Sequence, residues 1–150
     1  MTGRRTFLAW FLCALALAAG AAFAVRIGAA GAIWRGDASH MTTAIAVLCV
    51  LTVVWLGRVA WLTDAAKGVE AFRREPEWPS LASAHLAERL SVMLGLLGTT
   101  LGLSLQASAL AASGSASFGA LATSLYTTGV GIGSAVIISV LTFIVERGAR

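Results

Sequence analysis

Three threonines lie inside a long stretch of the chain that carries no charge. Residues 90–145, 56 in all, include no Asp, Glu, Lys, Arg or His, and Thr99, Thr127 and Thr128 supply hydroxyl groups within them. A hydroxyl both donates and accepts hydrogen bonds, so these side chains can bind a carboxylate or line a path of water molecules. They do not titrate usefully, however, and proton movement through a membrane needs a titratable group. This chain alone is therefore not expected to carry protons.

The charge-free stretch is long enough to form two membrane spans. One helical crossing takes about 20 residues, so residues 90–145 can form two crossings and a tight turn. The small, polar run Ala111–Ser117 predicts that turn, with Gly114 as the helix breaker. Arg89 precedes the stretch and Glu146 follows it. We therefore predict a transmembrane hairpin whose two charged ends lie on the same side of the membrane.

Small and hydroxyl residues recur along both predicted helices of the hairpin. Ser91, Gly95, Thr99, Gly102 and Gln106 are separated by intervals of three or four residues, which places them on one face of a helix. Such faces let helix backbones approach closely and hydrogen-bond across the contact. The residues for which we predict a packing role are Gly95, Gly98, Gly102, Ser124, Gly129, Gly131, Gly133 and Ser134.

Two ordered motifs lie within these helices. Residues 95–102 read Gly-Leu-Leu-Gly-Thr-Thr-Leu-Gly, and residues 124–136 read Ser-Leu-Tyr-Thr-Thr-Gly-Val-Gly-Ile-Gly-Ser-Ala-Val. The first resembles the Gly-Leu-Leu-Gly-Thr-Val-x-Gly signature of the MotA/TolQ/ExbB proton-channel family. The second is similar to that family's last-helix pattern, Ala-Leu-x-x-Thr-x-x-Gly-Leu-x-x-Ala-Ile-Pro. Ser124 replaces the Ala, the chain has no Pro at the end of the pattern after Val136, and the resemblance covers roughly the second half of the chain.

The resemblance implies a function and a set of partners. Channel chains of this family form a ring, typically of five copies, around a pair of partner helices. Each partner, as in MotB, TolR and ExbD, has one transmembrane helix that bears an Asp. On this interpretation Thr99 and Thr128 occupy pore-facing positions, Thr127 also lines the proton path, and the Gly and Ser residues permit close packing of chain on chain. The implied protein is a ring-forming subunit of a channel or motor complex driven by the proton-motive force.

Other interpretations of the same residues stay open. A membrane-scaffold or assembly protein would use the small-residue faces only to oligomerise, because Thr and Gly stripes also serve helix packing. A stand-alone transporter is less favoured, since no intramembrane charge or broken helix supplies a binding site. The sequence has no Ser-His-Asp arrangement, nucleotide loop or hairpin carboxylate pair, so we expect neither an enzyme nor a cofactor. Cys13 and Cys49 stand alone in apolar segments and predict no metal site.

Composition assigns the whole chain to the all-α membrane class. Hydrophobic residues make up 58% and charged residues 12%, with a mean hydropathy of +0.84. Apolar helices are predicted over Phe7–Val25 and Thr43–Leu62, which gives four transmembrane helices. The count is three if the first is a cleaved signal, but its apolar run of about 19 residues exceeds the usual 7–15 and favours retention. We therefore divide the chain into the first two spans (1–62), a short amphipathic loop (63–89), the hairpin (90–145) and a tail (146–150).

The basic residues predict an orientation. Nine of the eleven fall on one side of the proposed membrane (Arg4, Arg5, Arg58, Lys67, Arg73, Arg74, Arg89, Arg147 and Arg150), and Arg26 and Arg35 fall on the other. By the positive-inside rule both termini and the middle loop are cytoplasmic, and the resemblance implies the bacterial inner membrane. The basic residues flank helices and form no dense patch, which argues against nucleic-acid binding. Arg58 lies near the interfacial Trp61, where it is expected to snorkel towards the head groups.

Overall fold

A computed structural model of the protein describes residues 5–28, 31, 40–66, 81–114 and 118–149. Four helices lie within this part of the chain: α1 (Arg5–Arg26), α2 (Met41–Ala66), α3 (Ala82–Ser113) and α4 (Phe118–Ala149). Each is long and apolar enough to cross a membrane. The predicted all-α, multi-pass membrane bundle with four spans is therefore confirmed.

The two hairpin helices extend beyond the charge-free stretch. Each has 32 residues and is about 48 Å long, which exceeds the roughly 30 Å thickness of the hydrocarbon core. The additional turns carry the charges: His85, Glu88 and Arg89 lie at the start of α3, and Glu146 and Arg147 at the end of α4. The helices therefore continue past the charge-free stretch, and the apolar middle of each helix can lie in lipid while its charged turns reach water.

Helix α4 is the central element of the bundle. It contacts α1, α2 and α3, with its most extensive contact against α3, whereas α1 lies only against α2 and α4 among the described elements. The apolar core lies at the end of the bundle where α1 begins and α4 ends. Its buried members are Leu56, Val59, Ala60, Ala84, Leu141 and Val145.

The turn between α3 and α4 forms at the predicted glycine. Gly114 has φ of 66°, in the left-handed region, and its N–H donates to the Leu110 carbonyl at 2.9 Å. Glycine adopts this conformation without the steric cost that a side chain would add, which explains why α3 ends here. At the other end of α3 the N-cap position is Leu81, which makes no side-chain capping bond. Residues 67–80 of the predicted cytoplasmic loop lie outside the described residues.

Candidate functional site

Backbone atoms of helices α3 and α4 lie close together at two glycines, Gly95 and Gly131. A Cβ built on Gly131 would lie 2.8 Å from the Gly95 Cα and 2.8 Å from the Ser91 carbonyl oxygen, both of them backbone atoms. A Cβ on Gly95 would lie 3.2 Å from the Gly131 Cα. Backbone atoms cannot rotate away as a side chain can, so this contact requires glycine on α4 and strongly favours it on α3. The contact fixes the register of the hairpin.

Thr127 fills the next position along the same contact. Its side chain is fully buried, and its hydroxyl donates to the Ser124 carbonyl at 3.2 Å. It lies directly over Gly98, where an added Cβ would come within 2.6 Å of the Thr127 Cβ. The structure thus places Thr127 in packing inside the chain, and the predicted proton-path role of this residue stays a prediction.

Thr99 and Thr128 meet at the partly exposed edge of this helix contact. Their hydroxyl oxygens are in direct hydrogen-bonding contact, one from α3 and the other from α4. Thr99 Oγ1 also lies 2.9 Å from the Gly95 carbonyl oxygen, and Thr128 Oγ1 lies 2.9 Å from the Ser124 carbonyl oxygen. Because each hydroxyl has a single hydrogen, the two threonines together make two of these three bonds at a time. Thr99 Oγ1 lies 3.5 Å from that same Ser124 carbonyl. Two residues predicted from separate motifs therefore form one hydroxyl pair, which we call the threonine pair.

The threonine pair can bind a carboxylate that comes from outside the hairpin. Each hydroxyl has one hydrogen and two acceptor lone pairs, and its hydrogen rotates to suit its surroundings. A carboxylate is a stronger acceptor than a main-chain carbonyl, and hydrogen bonds to an ionised group are roughly twice as strong as neutral ones. The carbonyls of Gly95 and Ser124 remain available to the helical N–H groups four residues later. The pair can thus redirect its hydrogens without leaving a backbone group unsatisfied.

The predicted packing residues divide into two groups. Six of them are buried: Gly95, Gly98, Gly102, Ser124, Gly131 and Ser134. The other two, Gly129 and Gly133, are exposed on α4, and a Cβ on either would meet nothing within 4 Å. These two glycines do not pack against the described part of the chain, and their predicted packing role stays a prediction.

Sequence reasoning missed the buried carboxylate Asp64. It is 8% exposed, and its Oδ2 accepts the backbone N–H of Phe7 at 2.8 Å. A carboxylate at this position satisfies one of the unpaired N–H groups of the first turn of α1 and complements the positive end of the helix dipole. Thr6, in the same turn, is buried against Gly148 of α4. The start of α1 is thereby attached to both α2 and α4.

A polar contact between side chains also joins the start of α3 to the end of α4, at the end of the bundle where α1 begins. His85 Nε2 lies 3.1 Å from Glu146 Oε1, and His85 Nδ1 lies 3.6 Å from Glu88 Oε2. The side chains of His85 and Glu146 are 49% and 37% exposed, so water screens this contact and its contribution to stability is small. Within residues 5–28, 40–66, 81–114 and 118–149, no group of three or more His, Cys, Asp or Glu side chains is arranged to hold a metal ion.

Comparisons with protein-family models, curated proteins and solved structures give no match to this chain. Function must therefore be inferred from the geometry of the hairpin and from the two motifs within it. In that geometry the hydroxyls of Thr99 and Thr128 are in contact. Thr127 is buried inside the chain, and Gly129 and Gly133 face outwards.

Proposed function

We propose that this chain is the ring-forming subunit of a channel or motor complex driven by the proton-motive force, of the MotA/TolQ/ExbB type. The observation that supports it best is the threonine pair. Thr99 and Thr128 are 29 residues apart in the chain, yet their hydroxyls touch at the edge of the hairpin. Both are positions at which the motifs resemble the family's pore-facing threonines. Proton transport by this pair requires a carboxyl group from a partner.

The partner is a single-span protein with an Asp in its transmembrane helix. An ionised Asp at the centre of a membrane helix costs about 2.5–3.5 kcal/mol on insertion scales. A hydrogen bond to a charged group contributes about 1.5–3 kcal/mol, so two hydroxyl donors are enough to offset that cost. Residues 90–145 contain no Asp, Glu or His that could take up and release a proton near neutral pH, so the partner's carboxyl group is the proton carrier. The threonine pair stabilises its ionised form once the proton has left.

A ring requires a second contact surface on each chain. The α3–α4 contact already occupies Gly95 and Gly131, whereas Gly129 and Gly133 face outwards on α4. Small residues at both positions permit close approach of a neighbouring chain. We propose a homo-oligomer, typically of five copies, in the bacterial inner membrane with both termini cytoplasmic. The orientation rests on the nine-to-two division of the basic residues.

One observation favours the scaffold alternative. The hydroxyls of Thr99 and Thr128 each lie 2.9 Å from the main-chain carbonyl oxygen four residues earlier in their own helix and can donate to it. Threonines that serve only helix packing commonly make such bonds. In that case the hairpin uses its small-residue faces to assemble and no ion passes along it.

Substitution of Thr128 by Val separates the two functions. The swap removes one hydroxyl with little change in volume, and loss of one interhelical hydrogen bond in a membrane costs only about 0.6 kcal/mol on average. We expect Thr128→Val to assemble with the partner but to abolish proton flux in proteoliposomes, measured per assembled complex. Thr128→Ser, which keeps the hydroxyl, should retain most of the flux. Normal flux in Thr128→Val would remove the pathway role and leave the scaffold.

A further inference from the structure

A groove runs between α1 and α2 at the end of the bundle where α1 begins. Its volume is about 570 Å³, within the range of about 300–1,000 Å³ that is typical of ligand pockets. Aromatic rings, including Trp10, Phe11 and Trp61, line one part of it, and aliphatic side chains such as Leu15 line the rest. Among the described residues of the lining, only Arg58 is charged. We propose that this groove binds an anionic phospholipid, with its phosphate on Arg58 and one acyl chain along the apolar walls.

The walls of the groove are fixed by contacts on α1 and α2. Gly57 has no side chain, and the Trp10 ring lies directly on it, where an added Cβ would collide with the ring. The Phe7 ring packs edge-on against Trp61 at 5.1 Å and stacks on Trp10 at 5.6 Å between centroids. The bond from the Phe7 N–H to Asp64 holds the two helices together at the same end. The groove is therefore part of the folded chain and does not need a ligand in order to form.

Arg58 supplies the charge that selects the ligand. It is exposed, and the described part of the chain places no carboxylate within salt-bridge distance of it. It lies one turn before Trp61 and eight residues, about 12 Å along the helix, before the end of α2 at Ala66, and an arginine near an interfacial aromatic residue can snorkel its guanidinium towards the head groups. A guanidinium group binds phosphate oxygens through two parallel hydrogen bonds. A guanidinium at the rim of an apolar groove thus matches a molecule with an anionic head and an apolar tail.

A transmembrane helix is a poorer occupant of the same groove. A helix with its side chains is about 10–12 Å across and rises 5.4 Å per turn, so about 570 Å³ accommodates roughly one turn. A helix without an acidic residue at this depth would also cover Arg58 without neutralising it. Cationic pockets between membrane helices are established sites for anionic head groups. The volume and the charge together favour a lipid.

The test measures lipid retention by native mass spectrometry of the full chain. The protein is reconstituted with equal amounts of phosphatidylglycerol and phosphatidylcholine and then released into mild detergent. We expect wild type to retain phosphatidylglycerol preferentially and Arg58→Gln to retain about fivefold less of it. Arg89→Gln, which removes an exposed arginine of α3 outside the groove, should behave as wild type. Circular dichroism confirms that each variant keeps its helix content.

A second pair of variants tests the apolar part of the groove without changing charge. Ala18→Trp fills the groove, whereas Ala22→Trp adds the same ring one turn farther along α1, outside the lining. We expect only Ala18→Trp to lose bound phosphatidylglycerol. Equal retention by Arg58→Gln and Arg89→Gln would overturn the proposal. So would displacement of the lipid by inorganic phosphate, or a loss of oligomer without loss of lipid in Ala18→Trp, which would assign the groove to a second copy of the chain.

Discussion

The close contact between Gly95 and Gly131 makes a sharp prediction for Gly131→Ala. The added methyl group would lie 2.8 Å from backbone atoms of α3, where ordinary van der Waals contact begins at 3.4 Å. Helices α3 and α4 must therefore separate by roughly half an ångström along this direction, because no rotamer change can relieve the overlap. Gly133→Ala is the matched control, since a Cβ there meets nothing within 4 Å.

The difference between these two variants isolates the cost of the contact. Both replace glycine by alanine in the same helix, so the gain of about 1 kcal/mol in helix propensity is common to both and cancels. Overpacking of this kind costs about 1–3 kcal/mol. Because the added methyl group meets backbone atoms, we expect the free energies of unfolding of Gly131→Ala and Gly133→Ala to differ by an amount in the upper half of that range. Gly95→Ala should fall between the two, because its Cβ would lie 3.2 Å from the nearest atoms and a small shift accommodates it.

The assay is reversible unfolding of the monomeric chain in mixed micelles. The fraction of a denaturing detergent is raised while tryptophan fluorescence and helix content are followed, and the free energy of unfolding is compared among the three variants. We expect Gly133→Ala to be the most stable of the three variants, Gly95→Ala to be intermediate and Gly131→Ala to be the least stable. If Gly131→Ala and Gly133→Ala unfold at the same detergent fraction, α3 and α4 do not meet at Gly131 and the register of the hairpin is wrong.

Three further predictions concern α1, the topology and the assembly. Asp64→Ala should destabilise the fold by about 0.5–2 kcal/mol through loss of the helix cap and accelerate hydrogen exchange at the Phe7 amide; unchanged exchange there would contradict the capping role. A cysteine placed at Ser115 should react with an impermeant reagent from the periplasmic side and one at Lys67 should not, and the reverse pattern would overturn the orientation. Native mass spectrometry should show a homo-oligomer, most simply a pentamer, and a monomer at every concentration would exclude the ring.

The sequence predicts the spans and the turn because each depends on local properties. The uncharged run from 90 to 145 is long enough for two crossings, and Gly114 supplies the left-handed residue that ends the first of them. The ends of the helices could not be read in the same way. A charged residue such as Arg89 bounds the uncharged run without ending the helix, and α3 starts seven residues before it, at Ala82.

The spacing of residues along the sequence does not predict which residues meet between helices. Gly129, Gly131 and Gly133 occupy one helix at similar spacing, and only the position of the neighbouring helix decides that Gly131 packs inwards while the other two face out. The partner of Asp64 is 57 residues away in the chain, and no local pattern indicates which helix start a carboxylate will cap. The threonine pair is an intermediate case, since the motifs identify Thr99 and Thr128 but only the fold unites their hydroxyls.

The most direct test of the proposed function is proton flux with and without the partner. The candidate partner has one apolar span that contains an Asp, and the adjacent reading frame is the place to look for it. Proteoliposomes that hold this chain alone, the chain with the partner, or the chain with the partner's Asp changed to Asn are given a pH gradient, and internal pH is followed with an entrapped dye. We predict flux only from the chain with the unmodified partner. Equal flux from all three preparations, or none from an assembled wild-type complex, would contradict the proposal.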